Sequence, residues 1–347
     1  MTTSYRLTFT PSEPYFFGNE KTFRFPDAKI AGQFDNPYFI RSEFIPAQTT
    51  LFGAVRYLLL NDRDPSFASY PKGYEQRIGR ESFRLDAENP QTFGVIRGIS
   101  PVFLQNPDGI WVRTPFDHVS GEKFYTPFRR APLTEEGVSP KREYADNYDI
   151  KKGISDSFMN IGTGAIVDAD EIFRTVTRVG ISKKQNDDAF FKKEYRMLNA
   201  GWSFGVYLSL ELPEGETLSL DPVVFLGQNK AAFRVDFVRE DSTITKQLLA
   251  ILPPNTVYCL GDTYANSDIY PKFTFAVTQT RDHRTYETYP DKHPKGRIGK
   301  DGILYKLIRA GSVFWFDPDQ RSEEEITALF ARANAETIGM NQIIIKK

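Results

Sequence analysis

A short stretch of the chain combines cations with aromatic side chains densely enough to hold nucleic acid. Residues 174–196 contain seven cations and three aromatic residues: Arg174, Arg178, Lys183, Lys184, Phe190, Phe191, Lys192, Lys193, Tyr195 and Arg196. Cations bind phosphates, and an aromatic face can stack on an unpaired base for roughly 1–3 kcal/mol. The stretch therefore predicts an arm that contacts single-stranded RNA. A hairpin with a purely structural role is the alternative.

The sequence offers few residues of the types that catalyse reactions. The chain has three histidines, His118, His283 and His293, and one cysteine, Cys259. His283 and His293 share the basic stretch 281–301, so a metal-free ribonuclease with a histidine acid-base is one hypothesis. No local motif ties these histidines to a nucleophile, and the sequence motifs of zinc and calcium sites are missing. We therefore predict no catalytic residue, no metal site and no cofactor.

The arm needs strands to position it, and the flanking sequence supplies them. Alternating apolar residues predict strands at residues 6–10, 172–181, 195–212 and 232–237. Residues 49–60 have the apolar spacing of a helix that Thr49 or Thr50 could cap. A hairpin is predicted around Asn106-Pro107-Asp108-Gly109, and a short helix at residues 154–159. This order is that of the βαββαβ ferredoxin-like fold with long insertions.

A second unit follows near residue 240. Strands are predicted at residues 256–260, 273–278, 304–308, 312–316 and 342–345, with a helix at residues 323–334. The predicted fold class is α+β, with two ferredoxin-like domains at residues 1–239 and 240–347. The first domain would carry an insertion at about residues 63–170 and a protruding β-hairpin at about residues 181–195.

The composition bounds the class of protein. A length of 347 residues suits roughly two domains, each with its own core. Lys and Arg number 44 against 45 Asp and Glu, so the net charge of −1 excludes a globally basic coat for nucleic acid. A single cysteine excludes a disulfide framework and fits a reducing compartment. Neither a signal-peptide pattern nor an apolar run of ~18 residues is present, which predicts a cytoplasmic protein that does not contact membranes.

Four segments form a further pattern, in the order in which they occur. They are residues 45–56 (IPAQTTLFGAVR), 99–104 with 111–117 (ISPVFL and WVRTPFD), 178–181 with 195–198 (RVGI and YRML), and 309–314 (RAGSVF). Together they resemble the RAMP superfamily of CRISPR proteins, and within it the third subunit of the type III-B (Cmr) effector complex. Two departures stand out. Ser100 replaces the usual Gly before Pro, and the glycine-rich loops are reduced to Gly227-Gln228-Asn229 and Ile338-Gly339-Met340-Asn341.

The resemblance implies two RRM-like RAMP domains and a non-catalytic, RNA-binding role in antiviral defence. Such a subunit caps the 5′ end of the guide RNA (crRNA) by holding its repeat-derived tag, and its hairpin, called the thumb, kinks the RNA. The implied partners are the crRNA, the large polymerase-like subunit, backbone RAMP subunits and, indirectly, the target RNA. A guide-processing, metal-independent ribonuclease of the same superfamily, the cap subunit of a type III-A (Csm) complex, and a scaffold that binds only proteins stay open.

The resemblance also gives roles to individual residues. Arg56 would reach the RNA backbone from the first helix, and Gly53 would allow close backbone approach or helix packing. Lys230 and Arg234, beside the reduced glycine loop, would contact the tag. The cations of the arm would hold phosphates, while Phe190, Phe191 or Tyr195 would wedge or stack against bases.

Overall fold

The computed structural model describes residues 2–18, 39–60, 73–79, 84–87, 89–128, 154, 156–181, 190–284 and 303–347. Its strands are β1 (Thr3–Pro11), β2 (Phe39–Arg41), β3 (Ile96–Ile99), β4 (Phe103–Asn106), β5 (Gly109–Arg113), β6 (Ser157–Asn160), β7 (Ile166–Asp168), β8 (Phe173–Ile181), β9 (Phe190–Leu198), β10 (Ser203–Leu210), β11 (Val223–Leu226), β12 (Ala231–Arg239), β13 (Thr256–Cys259), β14 (Phe275–Val277), β15 (Thr280–Arg284), β16 (Leu304–Ile308), β17 (Val313–Trp315) and β18 (Ile343–Lys346). Its helices are α1 (Gln48–Leu58), α2 (Tyr74–Ile78), α3 (Ala169–Ile172), α4 (Ile244–Ile251), α5 (Glu323–Phe330) and α6 (Ala333–Thr337), with a 3₁₀ helix at Ser267–Lys272. Strands thus dominate a mixed α/β fold.

The largest sheet in the described residues has nine strands. Its order is β11-β12-β1-β10-β4-β5-β6-β7, and β3 pairs with β10 beside β4. Alternation along β1 buries Leu7 and Phe9 on one face, where Leu51 and Val55 of α1 join the same core. The predicted helix and its apolar face are therefore confirmed. Its predicted cap is wrong, because α1 begins at Gln48 without a side-chain cap.

A second sheet and α4 cover part of the opposite face of the large sheet. The second sheet has the order β14-β17-β13-β18. Tyr207 of β10 and Met159 of β6 share a core with Leu248 of α4 and Tyr258 of β13. Residues on both sides of position 240 therefore build one cluster, while the division into two domains at that position stays a prediction.

Three predicted elements differ from the structure. Residues 157–160 form β6 rather than a helix, because all four residues are buried between β5 and β7. The strand predicted at 195–212 is two strands, separated by a turn in which Gly201 has φ of 87°. The helix predicted at 323–334 ends at Phe330, and α6 begins at Ala333.

The terminal helix α5 packs on β17 through Phe330. A capping box, in which Ser322 and Glu325 satisfy each other's backbone N–H groups, fixes the start of α5. The Phe330 ring is 1% exposed, and its centroid lies 5.6 Å from that of Phe314 and 6.0 Å from that of Phe273.

Replacing Phe330 with Ala should therefore lower the free energy of unfolding by about 3–5 kcal/mol, since it leaves a cavity among aromatic rings. Urea denaturation followed by fluorescence measures this loss. Thr327→Ala, on the exposed face of α5, is the control and should stay within ~0.5 kcal/mol of wild type. A loss below about 1 kcal/mol for Phe330→Ala would contradict the packing.

Asp117 is a fully buried acid near the place where the two sheets meet. The Tyr125 hydroxyl donates to both carboxylate oxygens, at 2.9 and 3.0 Å. Burial raises the pKa of Asp117 to about 7, although the Tyr125 hydrogen bond works in the opposite direction. The folded protein therefore holds this proton more tightly than the unfolded chain does. The protonated Asp117 carboxyl therefore contributes most to stability at pH values below the ordinary pKa of an aspartate, and this contribution is lost as the pH rises toward 7.

Asp117→Asn should flatten that pH dependence. Wild type should lose on the order of 4 kcal/mol more than the variant between pH 4 and pH 8, because only wild type must ionise a buried carboxyl. Urea unfolding at several pH values measures the difference, with Asp319→Asn at an exposed turn as the control. Parallel profiles for wild type and Asp117→Asn would show that Asp117 does not titrate in this range.

Candidate nucleic-acid interface

The basic stretch found in the sequence covers nearly all of the two paired strands of an antiparallel hairpin. Strands β8 and β9 pair in register from Phe173 opposite Leu198 to Ile181 opposite Phe190. β2 extends the hairpin as a parallel third strand beside β9. Lys183 and Lys184, between β8 and β9, lie outside the described residues. Phe190 and Phe191 are described only as backbone positions in β9.

Among the paired residues of β8 and β9, one face carries cations and no carboxylate. Paired residues of an antiparallel ladder project from the same face. The pairing therefore places on one face Arg174, Val176, Arg178, Lys193, Tyr195 and Met197, a set that we call the basic face. Glu194 projects from the other face, where it forms a 3.2 Å ion pair with Arg41. The acid is thus separated from the basic face by the plane of the hairpin.

Two of the three cations of the basic face contact one aromatic ring, that of Tyr195. Arg178 is exposed, and its guanidinium carbon lies 4.9 Å from the centre of the Tyr195 ring. The Lys193 ammonium lies 5.2 Å from the same ring and 3.8 Å from the ring of Phe16. Arg174 is exposed farther along the face, with its guanidinium 3.8 Å from the Met197 sulfur. This arrangement offers two accessible guanidinium groups and a ring fixed by cation–π contacts.

Lys193 links the hairpin to the reduced glycine loop. Its ammonium donates to Oε1 of Gln228 at 2.9 Å. Burial lowers the pKa of Lys193 below its ordinary value. Lys193 is therefore partly committed to holding the basic face against the loop, unlike the exposed Arg174 and Arg178.

The loop itself is fixed by the backbone of Phe16. Gln228 N donates to Phe16 O at 3.0 Å, and Phe16 N donates to Oδ1 of Asn229 at 3.0 Å. Gly227 has φ of 77°, and a Cβ there would lie 2.5 Å from Phe16 O, so the close approach requires glycine. Lys230 follows with φ of 50° and an exposed side chain. Phe16 is a residue of this site that the sequence interpretation missed, since no Lys or Arg stands within four residues of it.

Three other cations that were predicted to bind RNA lie outside the basic face. Arg196 lies on the opposite face of the hairpin, where its guanidinium carbon is 4.4 Å from the Phe44 ring centre and it donates to Thr175. Lys192 is exposed on that opposite face as well. Arg234 is exposed on β12 and forms a 2.9 Å ion pair with Asp236. Since Arg234 alternates with the buried Phe233, it projects from the outer face of the large sheet.

Arg56 has a structural role that differs from the predicted contact with RNA. Its side chain is buried, and its guanidinium donates to Ile78 O and Gly79 O, both at 3.0 Å. Arg56 thereby satisfies carbonyl groups at the end of α2, so we leave it out of the interface. Gly53 is exposed, and a Cβ there would meet no described atom within 4 Å, so the described residues give no packing reason for a glycine, while close backbone approach of RNA stays a prediction.

The histidines do not assemble a catalytic group in the described part of the chain. His283 lies in β15 rather than in a loop, is 8% exposed, and has a pKa lowered to about 4 by burial and by Arg281. His118 accepts a hydrogen bond from Thr126 N at 3.2 Å through Nδ1. His293 lies outside the described residues. Among those residues, no group of His, Cys, Asp and Glu side chains could hold a metal ion, and no helix is long and apolar enough to cross a membrane.

A family model decides the affiliation of the chain. The model for the CRISPR-associated protein family Cas_Cmr3 matches residues 7–243, from β1 to the start of α4. The chain belongs to this family. The match confirms the resemblance to the third subunit of the type III-B complex, and it covers every cation and aromatic residue predicted to bind RNA. None of the curated proteins compared with this Cas_Cmr3 chain matches it.

Solved structures similar to this Cas_Cmr3 chain come from CRISPR effector complexes. A chain of "Cryo-EM structure of the Type III-B Cmr-beta bound to cognate target RNA" is 12% identical with a TM-score of 0.46, and 98% of this chain and 96% of that chain are covered. A chain of the same complex with cognate target RNA and AMPPnP, state 1, is 11% identical with a TM-score of 0.46, and the coverages are 97% and 95%. A chain of the crystal structure of the Csm3-Csm4 subcomplex of the type III-A interference complex is 12% identical with a TM-score of 0.37, and the coverages are 90% and 92%.

Proposed function

We propose that this Cas_Cmr3 chain is the RNA-binding, non-catalytic subunit of a type III-B CRISPR effector ribonucleoprotein. It caps the 5′ end of the crRNA by holding the repeat-derived tag, and it docks to the large polymerase-like subunit. The observation that carries the proposal is the basic face. Phosphates would lie against Arg174 and Arg178, and an unpaired base would pack against the edge of the Tyr195 ring.

The geometry of the hairpin supports the role of a thumb. Two guanidinium groups on one face, separated from Glu194 by the plane of the hairpin, give a local positive potential on a chain whose net charge is −1. The contact between Lys193 and Gln228 brings the glycine loop and Lys230 to the base of this face. RNA that follows the basic face would therefore pass the loop proposed to contact the tag.

Strand order supports two ferredoxin-like domains. In the large sheet, β12-β1-β10-β4 are antiparallel neighbours, and α1 lies between β1 and β3 in sequence. In the second sheet, β18-β13-β17-β14 have the same order, with α5 and α6 before the last strand. Both orders are those that a βαββαβ unit adopts. The stretch between β10 and β12 has no helix among its residues, so the first unit would lack its second helix.

The state of His283 supports a role without RNA cleavage. An imidazole with a pKa of about 4 is uncharged at neutral pH and cannot donate a proton as a general acid there. The uncharged ring is also buried in β15, so it offers RNA no accessible base, and we therefore favour the non-catalytic subunit over the guide-processing ribonuclease. The cap subunit of a type III-A complex is disfavoured by the family match, and mass spectrometry of co-purifying subunits separates the two complexes.

Neutralising the basic face should reduce the salt dependence of RNA binding. The double variant Arg174→Gln, Arg178→Gln should lower the slope of log K against log[salt] by about 0.7 for each phosphate that is no longer bound, or about 1.4 in all. Fluorescence anisotropy with single-stranded RNA that carries the repeat tag, at four or more salt concentrations, measures the slope. Both residues are exposed, so the melting temperature should not change.

The matched control is Arg97→Gln, Arg239→Gln. It removes the same charge from exposed positions on β3 and at the far end of β12, and its slope should equal that of wild type. If the hairpin variant also keeps the wild-type slope, the basic face does not clamp RNA and would be assigned to protein–protein contact.

The purified chain should leave repeat-containing RNA intact. Incubation with and without divalent metals, followed by gel analysis of end-labelled RNA, tests this expectation. The physical reason is that the described residues bring no nucleophile and base together. Site-specific cleavage that His283→Ala or His293→Ala abolishes would establish the ribonuclease instead.

A further inference from the structure

A carboxylate between the two sheets accepts hydrogen bonds from two arginines. Oδ1 of Asp156 accepts from Arg113 at 2.6 Å and from Arg309 at 3.0 Å. Arg113 ends β5, Asp156 precedes β6, and Arg309 lies in the turn between β16 and β17. Arg309 also donates to Oε1 of Gln279 at 2.8 Å. Three distant parts of the chain thus meet at one oxygen atom.

The charges at this meeting point do not balance among the described residues. A second ion pair, Arg281 with Asp262 at 3.2 Å, lies close enough for Asp262 to act electrostatically on Arg113. Three guanidinium groups therefore face two carboxylates. His283, beside Arg281, is uncharged at neutral pH. The cluster has one positive charge in excess, which favours a further anion.

Arg113 shows where that anion would bind. Its side chain is 6% exposed, and among the described residues it makes one hydrogen bond, to Asp156, with the Phe158 ring centre 5.4 Å from the guanidinium carbon. A guanidinium has five N–H donors, and the Arg113 nitrogens that do not bond Asp156 are not among the buried polar atoms without a partner in the described residues, so they reach solvent. The side chains of Arg309 and Asp156 are 22% and 39% exposed, so the cluster is open at one end. A small oxyanion could enter there and meet the remaining donors.

We propose that Arg113 and Arg309 form an oxyanion site that binds a phosphate group, with Asp156 as the internal carboxylate that competes for the same donors. Planar guanidinium groups bind phosphate oxygens through paired hydrogen bonds, which suits two arginines that converge on one point. The phosphate would come from the backbone of bound RNA or from a free phosphate-bearing molecule. Only the assignment to RNA rests on the proposed function.

A purely structural role for the same ion pairs makes a different prediction. If the arginines serve only to join the sheets, removing either partner weakens the fold and phosphate has no specific effect. If they form an oxyanion site, removing the carboxylate frees donors. Asp156→Asn should then bind phosphate more tightly than wild type, while Arg309→Gln should bind it roughly tenfold or more weakly. The opposite signs for two members of one ion pair separate the two roles.

The experiment measures inorganic phosphate binding by isothermal titration and by the shift in melting temperature, at constant ionic strength against chloride. Arg97→Gln and Glu211→Gln, from an exposed 2.6 Å ion pair, are the matched controls and should behave as wild type. If Arg309→Gln does not fold, Arg309→Lys, which keeps the charge, takes its place in the experiment. Equal effects of phosphate and chloride, or weaker phosphate binding by Asp156→Asn, would overturn the site. Acetate that competes as well as phosphate would overturn the phosphate assignment in favour of a partner's carboxylate.

A second arm uses the tag-bearing RNA. If Arg309→Gln weakens RNA binding and phosphate competes with RNA, the site holds an RNA phosphate. If RNA binding is unchanged while phosphate binding disappears, the site serves a free phosphate-bearing molecule. Failure of the basic-face variants to change RNA binding would remove the proposed function and leave the phosphate result intact.

Discussion

The side-chain amide of Gln48 bridges the interruption between β3 and β4, where it donates to Ser100 O at 2.9 Å and accepts from Val102 N at 3.1 Å. Pro101 has no N–H to offer, so this stretch cannot continue the ladder with β10 unaided. Ser100 helps to close it, because its hydroxyl accepts from Tyr207 N at 2.8 Å. Ser100 is thus part of the junction. Gly339, with φ of 86°, fits against Gln48 only because it lacks a Cβ.

This junction sets α1 against the sheet and thereby places the hairpin. The chain before α1 reaches the sheet through Phe44, whose carbonyl accepts from the Tyr15 hydroxyl at 3.0 Å. Tyr15 in turn pairs with Arg196 of β9, whose guanidinium rests on the Phe44 ring. The opposite face of β9 is then turned toward Phe16 and the glycine loop. The position of the basic face is therefore a consequence of core packing around Tyr15, which is fully buried.

The sequence was sufficient to predict those helices and strands whose formation depends on the local spacing of apolar and turn residues. The helix α1 and the β4–β5 hairpin were predictable from apolar periodicity and from the turn residues at 106–109. β6 was not, because the side chains of Phe158 and Met159 join different cores on its two faces and show no alternation. The burial of Arg56 was not predictable, because sequence cannot tell a guanidinium that satisfies carbonyls of α2 from an exposed one that binds phosphate. The contact between Lys193 and Gln228 joins residues 35 positions apart and depends on tertiary structure.

A nearly neutral chain can bind a polyanion if its cations are sorted by their partners. Exposed arginines such as Arg97 and Arg234 face a carboxylate within 3 Å, so the negative charge of the partner largely cancels their positive potential at a distance. Salt screens what remains beyond about one Debye length. On the basic face, Arg178 is held by an aromatic ring, which orients a guanidinium without neutralising its charge. Arg309 is likewise less neutralised than an arginine with a carboxylate of its own, because it shares one oxygen of Asp156 with Arg113. What makes a surface of this protein suited to phosphate is thus the scarcity of carboxylates near its arginines, rather than the number of its cations.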